Sequence, residues 1–321
     1  SRLCPTSSGP GWERPEVDDL EALATALAAA GLSEGIRREH PIGPLTTYRV
    51  GGPASLFVRP ADADELEAVV GAATACEVEI LVVGSGSNLL VSDGGFAGLA
   101  IQLGGGFQSI RVAGQMVTAG GATNLPVLAR RTVADGLTGF EWAVGVPGSI
   151  GGSVRMNAGG HGSDMASVLE EATTIDLLTG VRRVRPVDSL ALGYRTSDVG
   201  PAELVTSAVL RLEEAAGAAG EEMLAGIVRW RRENQPGGRN AGSVFTNPPG
   251  DSAGRLIDAA GLRGHRYGSA VVSERHANFI QVDDGGLADD VDGLMDEVVR
   301  RVLDVHGIRL RAETVMVGFG R

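Results

Sequence analysis

Five short stretches hold residue types that could do chemistry. GVPGSIGGSVRMNAGG (145–160) is dense in Gly and Ser, and such backbone can lie close against a large flat ligand. RNAGSVFTN (239–247) sets Ser243 in a tight Gly-flanked turn, with Asn247 four residues on. GSGSN (84–88) follows the apolar run EILVVG and can turn its amides toward a phosphate. LGYRTSD places Tyr194 beside Arg195, and IRLRAETVMVG embeds Glu313 in an otherwise apolar terminal strand. A carboxylate buried without a partner is costly, so an acid at 313 reads as functional. Taken alone, each is open to a plainer reading: GSGSN as an ordinary tight turn, Ser243 as a turn residue, Arg195 as a surface charge.

Several common chemistries fail on spacing. A Rossmann dinucleotide loop needs a third Gly where this chain has Leu89, and no acid follows about twenty residues on to take a ribose hydroxyl. The serine-hydrolase elbow G-x-S-x-G is absent, and Ser243 has no His near it in sequence. The five His form no H-x-x-x-H pair, and Cys4 and Cys76 have no metal spacing. No metal site is expected, and both thiols read as free. Net charge is −12 and all 28 basic residues are Arg, which argues against general nucleic-acid binding. The charge is uneven, however. Residues 229–280 hold eight Arg (229, 231, 232, 239, 255, 263, 266, 275) against four acids (Glu233, Asp251, Asp258, Glu274). That local +4 suits an anionic small ligand, or a solvated surface.

The elements that must position these residues follow from periodicity. A chain of 321 residues suits two or three domains. No apolar run approaches the ~18 residues of a membrane span, so a cytoplasmic protein is expected. Residues 1–16, rich in Pro, Gly and Ser, read as a disordered lead-in and not as a secretory signal. Helices are predicted at 18–31, 62–75, 123–135, 252–260 and 287–305. Another is predicted at 216–233, amphipathic toward Met223, Ile227 and Trp230. Strands are predicted at 54–60, 79–84, in three pieces over 98–119, and at 204–212, 269–272 and 278–282. A hairpin over 170–185 turns at Thr179–Gly180, and ETVMVGFG forms a closing strand.

Taken in order, TTYRVGGPA, GSGSNLL, PGSIGG, LGYRTSD and NAGSVFTN closely resemble the UDP-N-acetylenolpyruvoylglucosamine reductase (MurB) family over residues 40–319. The resemblance implies an α+β fold: a two-lobed FAD-binding domain of the vanillyl-alcohol-oxidase/PCMH type with a smaller α+β substrate domain. The FAD-binding domain is expected at 17–216, in lobes of about 17–78 and 79–216, the first completed by 307–321. The substrate domain is expected at 217–306. The reaction implied is NADPH-dependent, FAD-mediated reduction of an enolpyruvyl ether of a UDP-sugar, a step of peptidoglycan precursor synthesis.

Site residues carry over one by one. Ser243 matches the family's proton donor, with Arg195 and Glu313 as its catalytic partners. Arg49, Gly84, Ser85, Gly86, Ser87, Asn88, Leu89, Gly148, Ser149, Gly151, Gly152 and Asn157 fall at the cofactor. Tyr194, Arg231, Arg232 and Asn247 fall at the substrate. FAD is expected to be noncovalent, NADPH to act as cosubstrate, and the chain to be a monomer. Two residues depart from the family pattern: Thr246 replaces a Lys after the Ser, and His161 stands at an aromatic position. The short spacing from Arg195 to Ser243 resembles the compact type II branch. The alternatives are another FAD oxidoreductase of the same fold, or a non-catalytic nucleotide-sugar-binding protein.

Overall fold

The computed structural model describes residues 17–32, 35–76, 78–215 and 218–320. The expected lead-in at 1–16, with Cys4, lies outside the described residues. α1 (Val17–Leu27) runs into one π turn (Ala28–Leu32), where Gly31 at φ +88° leaves the helical region. The first lobe is a four-stranded sheet in the order β1 (Arg37–Pro41), β2 (Pro53–Val58), β5 (Phe96–Ile101), β3 (Ile80–Val82), so it runs past the expected lobe boundary at 78, because β3 and β5 extend the sheet begun by β2. β2 and β3 both run parallel to β5. Parallel strands are covered on both faces, which suits their near-continuous apolar runs. α2 (Ala63–Thr74) makes the crossover from β2 to β3. It starts on a reciprocal cap: Asp62 accepts from the Glu65 amide at 3.0 Å, and Glu65 accepts from the Ala61 amide at 2.7 Å. α1 and α2 bury Leu23, Leu27, Leu66 and Val69 against Leu56 and Leu99 of the sheet.

The second lobe is an antiparallel sheet in the order β12 (Arg182–Pro186), β11 (Leu169–Asp176), β13 (Glu203–Arg211), β7 (Met116–Gly120), β6 (Ile110–Ala113). The β11–β12 hairpin turns as predicted. Asp176 accepts from the Leu178 and Thr179 amides, and Gly180 takes φ +71°. α3 (Leu125–Ala134) and α4 (Ile150–Arg155) pack on this sheet with Phe140 and Trp142, whose rings meet edge-on at 5.3 Å. Two short ribbons finish the lobe: β8 (Leu137–Thr138) with β14 (Glu213–Glu214), and β9 (Gly159–Gly160) with β10 (Ser163–Asp164).

α5 (Ala219–Asn234) corrects one expectation. Ile227 is buried, but Met223 and Trp230 are 51% and 45% exposed. The inward stripe is instead Gly220, Leu224, Ile227 and Arg231. A side chain at Gly220 would come within 2.9 Å of Val133 on α3, so Gly lets the helices approach closely. Arg231 turns inward because a cavity lies beneath it.

The C-terminal part packs α6 (Ala253–Ala259) and α7 (Ala288–His306) on a small antiparallel sheet of β15 (Arg266–Tyr267), β16 (Ala270–Val272) and β17 (Ile280–Val282). α7 buries Val291, Leu294, Val298 and Val302 at helical spacing and stops at Gly307, φ +68°. Its first amides are capped from the first lobe, where Asp93 accepts from Ala288 and Asp289 at 3.1 and 3.0 Å. Finally β18 (Val315–Val317) returns to pair parallel with β4 (Leu89–Val91), directly after the GSGSN loop. Tyr48, Val50 and Leu90 share a core with Phe245, Leu256 and Leu294, so the C-terminal part and the first lobe are packed as neighbours.

Candidate active site

Two cavities, of about 420 and 410 Å³, meet at Gly84, Ser85, Ser149, Gly152 and Arg155. The Gly/Ser loops form this junction because each is tied down from outside. Gln102 donates to the Gly84 carbonyl at 3.0 Å and Thr47 to the Gly86 carbonyl at 3.0 Å. Ile150 and Gly151 donate to Thr123 and Gly121 at 2.9 and 2.8 Å. Among the described residues, the amides of Ser85, Gly86 and Ser87 have no protein acceptor, so they are available to an anion. A side chain at Gly84 would reach 3.0 Å from Ser149 Oγ and close the gap between the loops. Gly84 to Leu89, Gly148, Ser149 and Gly152 line the first cavity, and Gly151 lines the second.

Arg195, Ser243 and Glu313 line the first cavity together. Arg195 sits in a turn closed by paired Gly193–Thr196 hydrogen bonds of 3.0 and 3.2 Å. Its φ is +57°, a region L-residues rarely occupy, and such strain persists only where surroundings over-determine it. Here they do. Its Nε lies 2.9 Å from Glu313 Oε1, its Nη2 donates to the Gly159 carbonyl at 2.9 Å, and its guanidinium stacks 5.4 Å from the Tyr194 ring. Asn157 holds the same turn, donating to the Gly193 carbonyl at 2.9 Å. Burial pushes the Glu313 carboxyl above the ordinary glutamate range, and Arg195 opposes that rise.

Ser243 is fixed by a short ladder. The Val244 carbonyl accepts from the Glu313 amide at 2.7 Å, and Phe245 bridges Ala312, so Ser243 and Glu313 lie on adjacent chains. Buried Asn278 donates to the Phe245 carbonyl at 2.8 Å and accepts from its amide at 3.1 Å, standing in for a neighbouring strand. Asn88 couples loop to acid, donating to the Glu313 carbonyl at 2.9 Å. Arg231 also lines this cavity, with its Nε on Gln235 at 2.8 Å. Burial lowers its pKa.

Five expected site residues lie away from both cavities. Arg49 is exposed at φ +59°, its amide on Thr46 Oγ1. Asn157 is buried and spends its side chain on Asp164, Gly193 and Ala166. Tyr194 and Arg232 are exposed. Asn247 is exposed too, and its side-chain oxygen accepts from Ala253 at the start of α6. The basic island largely dissolves into ion pairs: Arg239–Asp284, Arg255–Asp251, Arg263–Asp258 and Arg266–Asp283. Arg275 donates to the carbonyls of Arg232 and Gln235, capping α5. Of that island only Arg231 faces the first cavity. Sequence reasoning missed Arg155, Gln235 and Asn278; an Asn inside the apolar stretch ANFIQV was the available signal for the last.

The two departures are also placed. Thr246 turns its hydroxyl onto the Arg311 carbonyl at 3.3 Å. His161, at φ +54°, meets Trp230 edge-on at 5.0 Å, and burial followed by the nearby Arg231 charge lowers its pKa.

Residues 54–185 match the FAD binding domain family, and residues 234–317 match the UDP-N-acetylenolpyruvoylglucosamine reductase C-terminal domain. UDP-N-acetylenolpyruvoylglucosamine reductase 2 of Symbiobacterium thermophilum is 44% identical over 285 residues, 88% of this chain and 92% of that one. The chain belongs to the UDP-N-acetylenolpyruvoylglucosamine reductase family. The Paramagnetospirillum magneticum reductase is likewise 44% identical, covering 88% of this chain and 91% of its own. The crystal structure of the Thermus caldophilus reductase superposes with a TM-score of 0.76 at 36% identity, over 88% of this chain and 99% of that chain. Family membership makes the fold α+β, an FAD-binding domain with a smaller C-terminal domain, and the chain a flavin oxidoreductase. Among the described residues, no helix is long and apolar enough to cross a membrane, and no group of three or more His, Cys, Asp or Glu could hold a metal.

Proposed function

We propose that this chain reduces UDP-N-acetylenolpyruvoylglucosamine to UDP-N-acetylmuramate, using FAD and NADPH, as a cytoplasmic monomer in peptidoglycan precursor synthesis. One observation carries the reading: Arg195, Ser243 and Glu313 converge in a cavity whose other wall is the pair of Gly/Ser loops. The residues fit FAD. The free amides of Ser85 to Ser87, at the junction that Ser149 and Gly152 also line, suit its diphosphate, and the cavities on either side suit its two halves. The working division is an FAD-binding part at 17–216 closed by 307–321, and a substrate part at 217–306. α5, the first helix of the substrate part, packs on the second lobe through Ile227 and presents Arg231 to the first cavity.

Bound FAD, once reduced by NADPH, would supply hydride to the enolpyruvyl methylene carbon. Negative charge then develops on the neighbouring carbon and spreads into the substrate carboxylate. Arg195 is held by Glu313 and Gly159 and needs little reorganisation to meet that charge. Glu313, paired with Arg195 at 2.9 Å, holds the guanidinium in place beside those oxygens. Ser243 hands its hydroxyl proton to the carbon. A serine is a weak acid, but an enediolate is basic and position supplies the rest. Arg231 brings positive charge for the diphosphate of the UDP-sugar, which favours this substrate over an uncharged alcohol.

The test is spectroscopic. The purified full chain should be yellow, and its denatured filtrate should contain FAD. NADPH should bleach the visible band, and the enolpyruvyl substrate should restore it. FMN or no flavin in the filtrate, or a bleached band that the substrate leaves bleached, would overturn the reading.

A further inference from the structure

α5 ends beside the first cavity, and its own chain does not close that end. The last carbonyls of a helix have no partners within it. A glycine past the end commonly folds an amide back to meet them. Here Gln235 leaves α5 in extended backbone, at φ −114°, and Pro236 after it has no N–H to give. The donors come from elsewhere. Asn234 turns its side chain onto the Trp230 carbonyl at 2.8 Å, and Gln235 gives its amide to the Arg231 carbonyl at 2.8 Å. Arg275 Nη1 reaches the carbonyls of Arg232 and Gln235, at 2.8 and 3.3 Å. Its positive charge also suits the negative end of the helix dipole.

Arg275 lies in the turn at 273–279, between β16 and β17, and that turn is closed from several sides. Buried Ser273 accepts from the Arg275 and His276 amides on Oγ, at 3.2 and 3.4 Å, and donates its own amide to the Phe279 carbonyl at 2.9 Å. His276 Nδ1 accepts from the Asn278 amide at 3.3 Å. The same turn holds the chain that carries Ser243. The Asn278 carbonyl accepts from the Val244 amide at 2.9 Å, besides the two side-chain bonds to Phe245. One turn therefore grips both the Ser243 chain and the helix of Arg231. Gln235 is the link: its carbonyl meets Arg275, and its Oε1 accepts from Arg231 Nε at 2.8 Å. Arg275 itself lines neither cavity. We propose that Arg275 is a positioning residue for substrate binding: it fixes the end of α5 and, through Gln235, sets the Arg231 guanidinium in the first cavity. The inference rests on the ligand-holding role given to Arg231 above.

A double-mutant cycle on the full chain, read by steady-state kinetics with the UDP-sugar varied, tests it. Arg275→Ala should raise KM about 3–10-fold, the scale of a lost hydrogen-bonded cap, with kcat unchanged. Arg275→Lys keeps the charge but not the fork, and should recover part of that loss. In an Arg231→Ala background the same Arg275→Ala change should move KM by less than about twofold, because nothing remains to be positioned. Wild-type constants in Arg275→Ala would overturn the proposal. An equal loss in both backgrounds would overturn it too, since Arg275 would then act as a surface charge in its own right. So would a fall in kcat at unchanged KM, which would place the effect on Ser243. Wild-type KM in Arg231→Ala alone would instead remove the role of Arg231, and the proposal with it. Arg275 is exposed, and Arg275→Lys keeps its stem, so that variant remains informative if Arg275→Ala fails to fold.

Discussion

Arg195 and Arg231 enter the same cavity from different kinds of structure. Arg195 stands in a strained turn and is ion-paired to Glu313 at 2.9 Å. Arg231 stands on a regular helix, and its side chain meets the neutral Gln235 at 2.8 Å. No carboxylate lies within ion-pair distance of Arg231 among the described residues. A guanidinium whose charge is already met holds a neighbouring acid in place. One whose charge is unmet, in a place where burial lowers its pKa, is stabilised by whatever anion arrives. The pair therefore divides the labour: Arg195 is built for chemistry at one carbon, Arg231 for holding the ligand.

Ser243 should show the largest effect, because it is the residue both arginines serve. In Ser243→Ala, stopped-flow absorbance should show flavin reoxidation by substrate slowed by about two to four orders of magnitude, with reduction by NADPH unchanged. Equal slowing of both steps would mean a damaged flavin site and would leave the comparison without its centre. Arg195→Met comes next. It should lower kcat about 10²–10³-fold with little change in KM for the UDP-sugar, as for loss of one preorganised donor. A change confined to KM would erase the distinction between the two arginines.

Arg231→Ala should do the reverse, raising KM about 10–100-fold at nearly constant kcat. Arg232→Ala, one residue on but exposed, should leave both constants at wild-type values. Matching losses in the two variants would restore the picture of a diffuse basic surface.

The smallest effect concerns pH. Burial raises the Glu313 carboxyl above its ordinary range while Arg195 pulls the other way. The native chain then holds that proton more tightly than the unfolded chain does. Its contribution to stability is present below the ordinary glutamate range and is lost as pH rises through the folded value. The urea midpoint of wild type relative to Glu313→Gln should therefore fall as pH rises from the ordinary glutamate range through the raised folded value. The fall should be steeper in an Arg195→Met background. A rise instead would mean the ion pair outweighs burial.

Contiguous features were legible in the sequence, and convergent ones were not. GSGSN and PGSIGG are contiguous loops that composition marks out, and the structure brings both to the cavities. α2, α7 and the 170–185 hairpin were legible because caps, turn residues and apolar periods agree locally. α5 was misjudged because Met223 and Trp230 on a helix are read as inward, whereas the face that turns in carries Ile227 and Arg231. Asn157 and Arg49 were placed at the cofactor by resemblance, while in the structure both hold left-handed backbone, at φ +39° and +59°. A Gly-rich loop does not show from its letters whether its Asn bonds a ligand or another loop. Asp93 capping α7 and Asn278 bracing Phe245 depend on neighbours far along the chain, which no local pattern encodes.

Asn88 and the Glu313 carbonyl lie 2.9 Å apart in space and 225 residues apart in sequence. On a ribosome that gap is time. At about 5–20 residues per second, roughly 10–45 s separate the two ends of the bond. During that interval β4 lacks β18, its one strand partner among the described residues, and an unpaired strand edge is a template for joining another chain. The segment that carries Glu313 and β18 thus delivers the acid and seals the edge in the same movement, so the nascent chain is most prone to mispairing at that edge before this segment emerges.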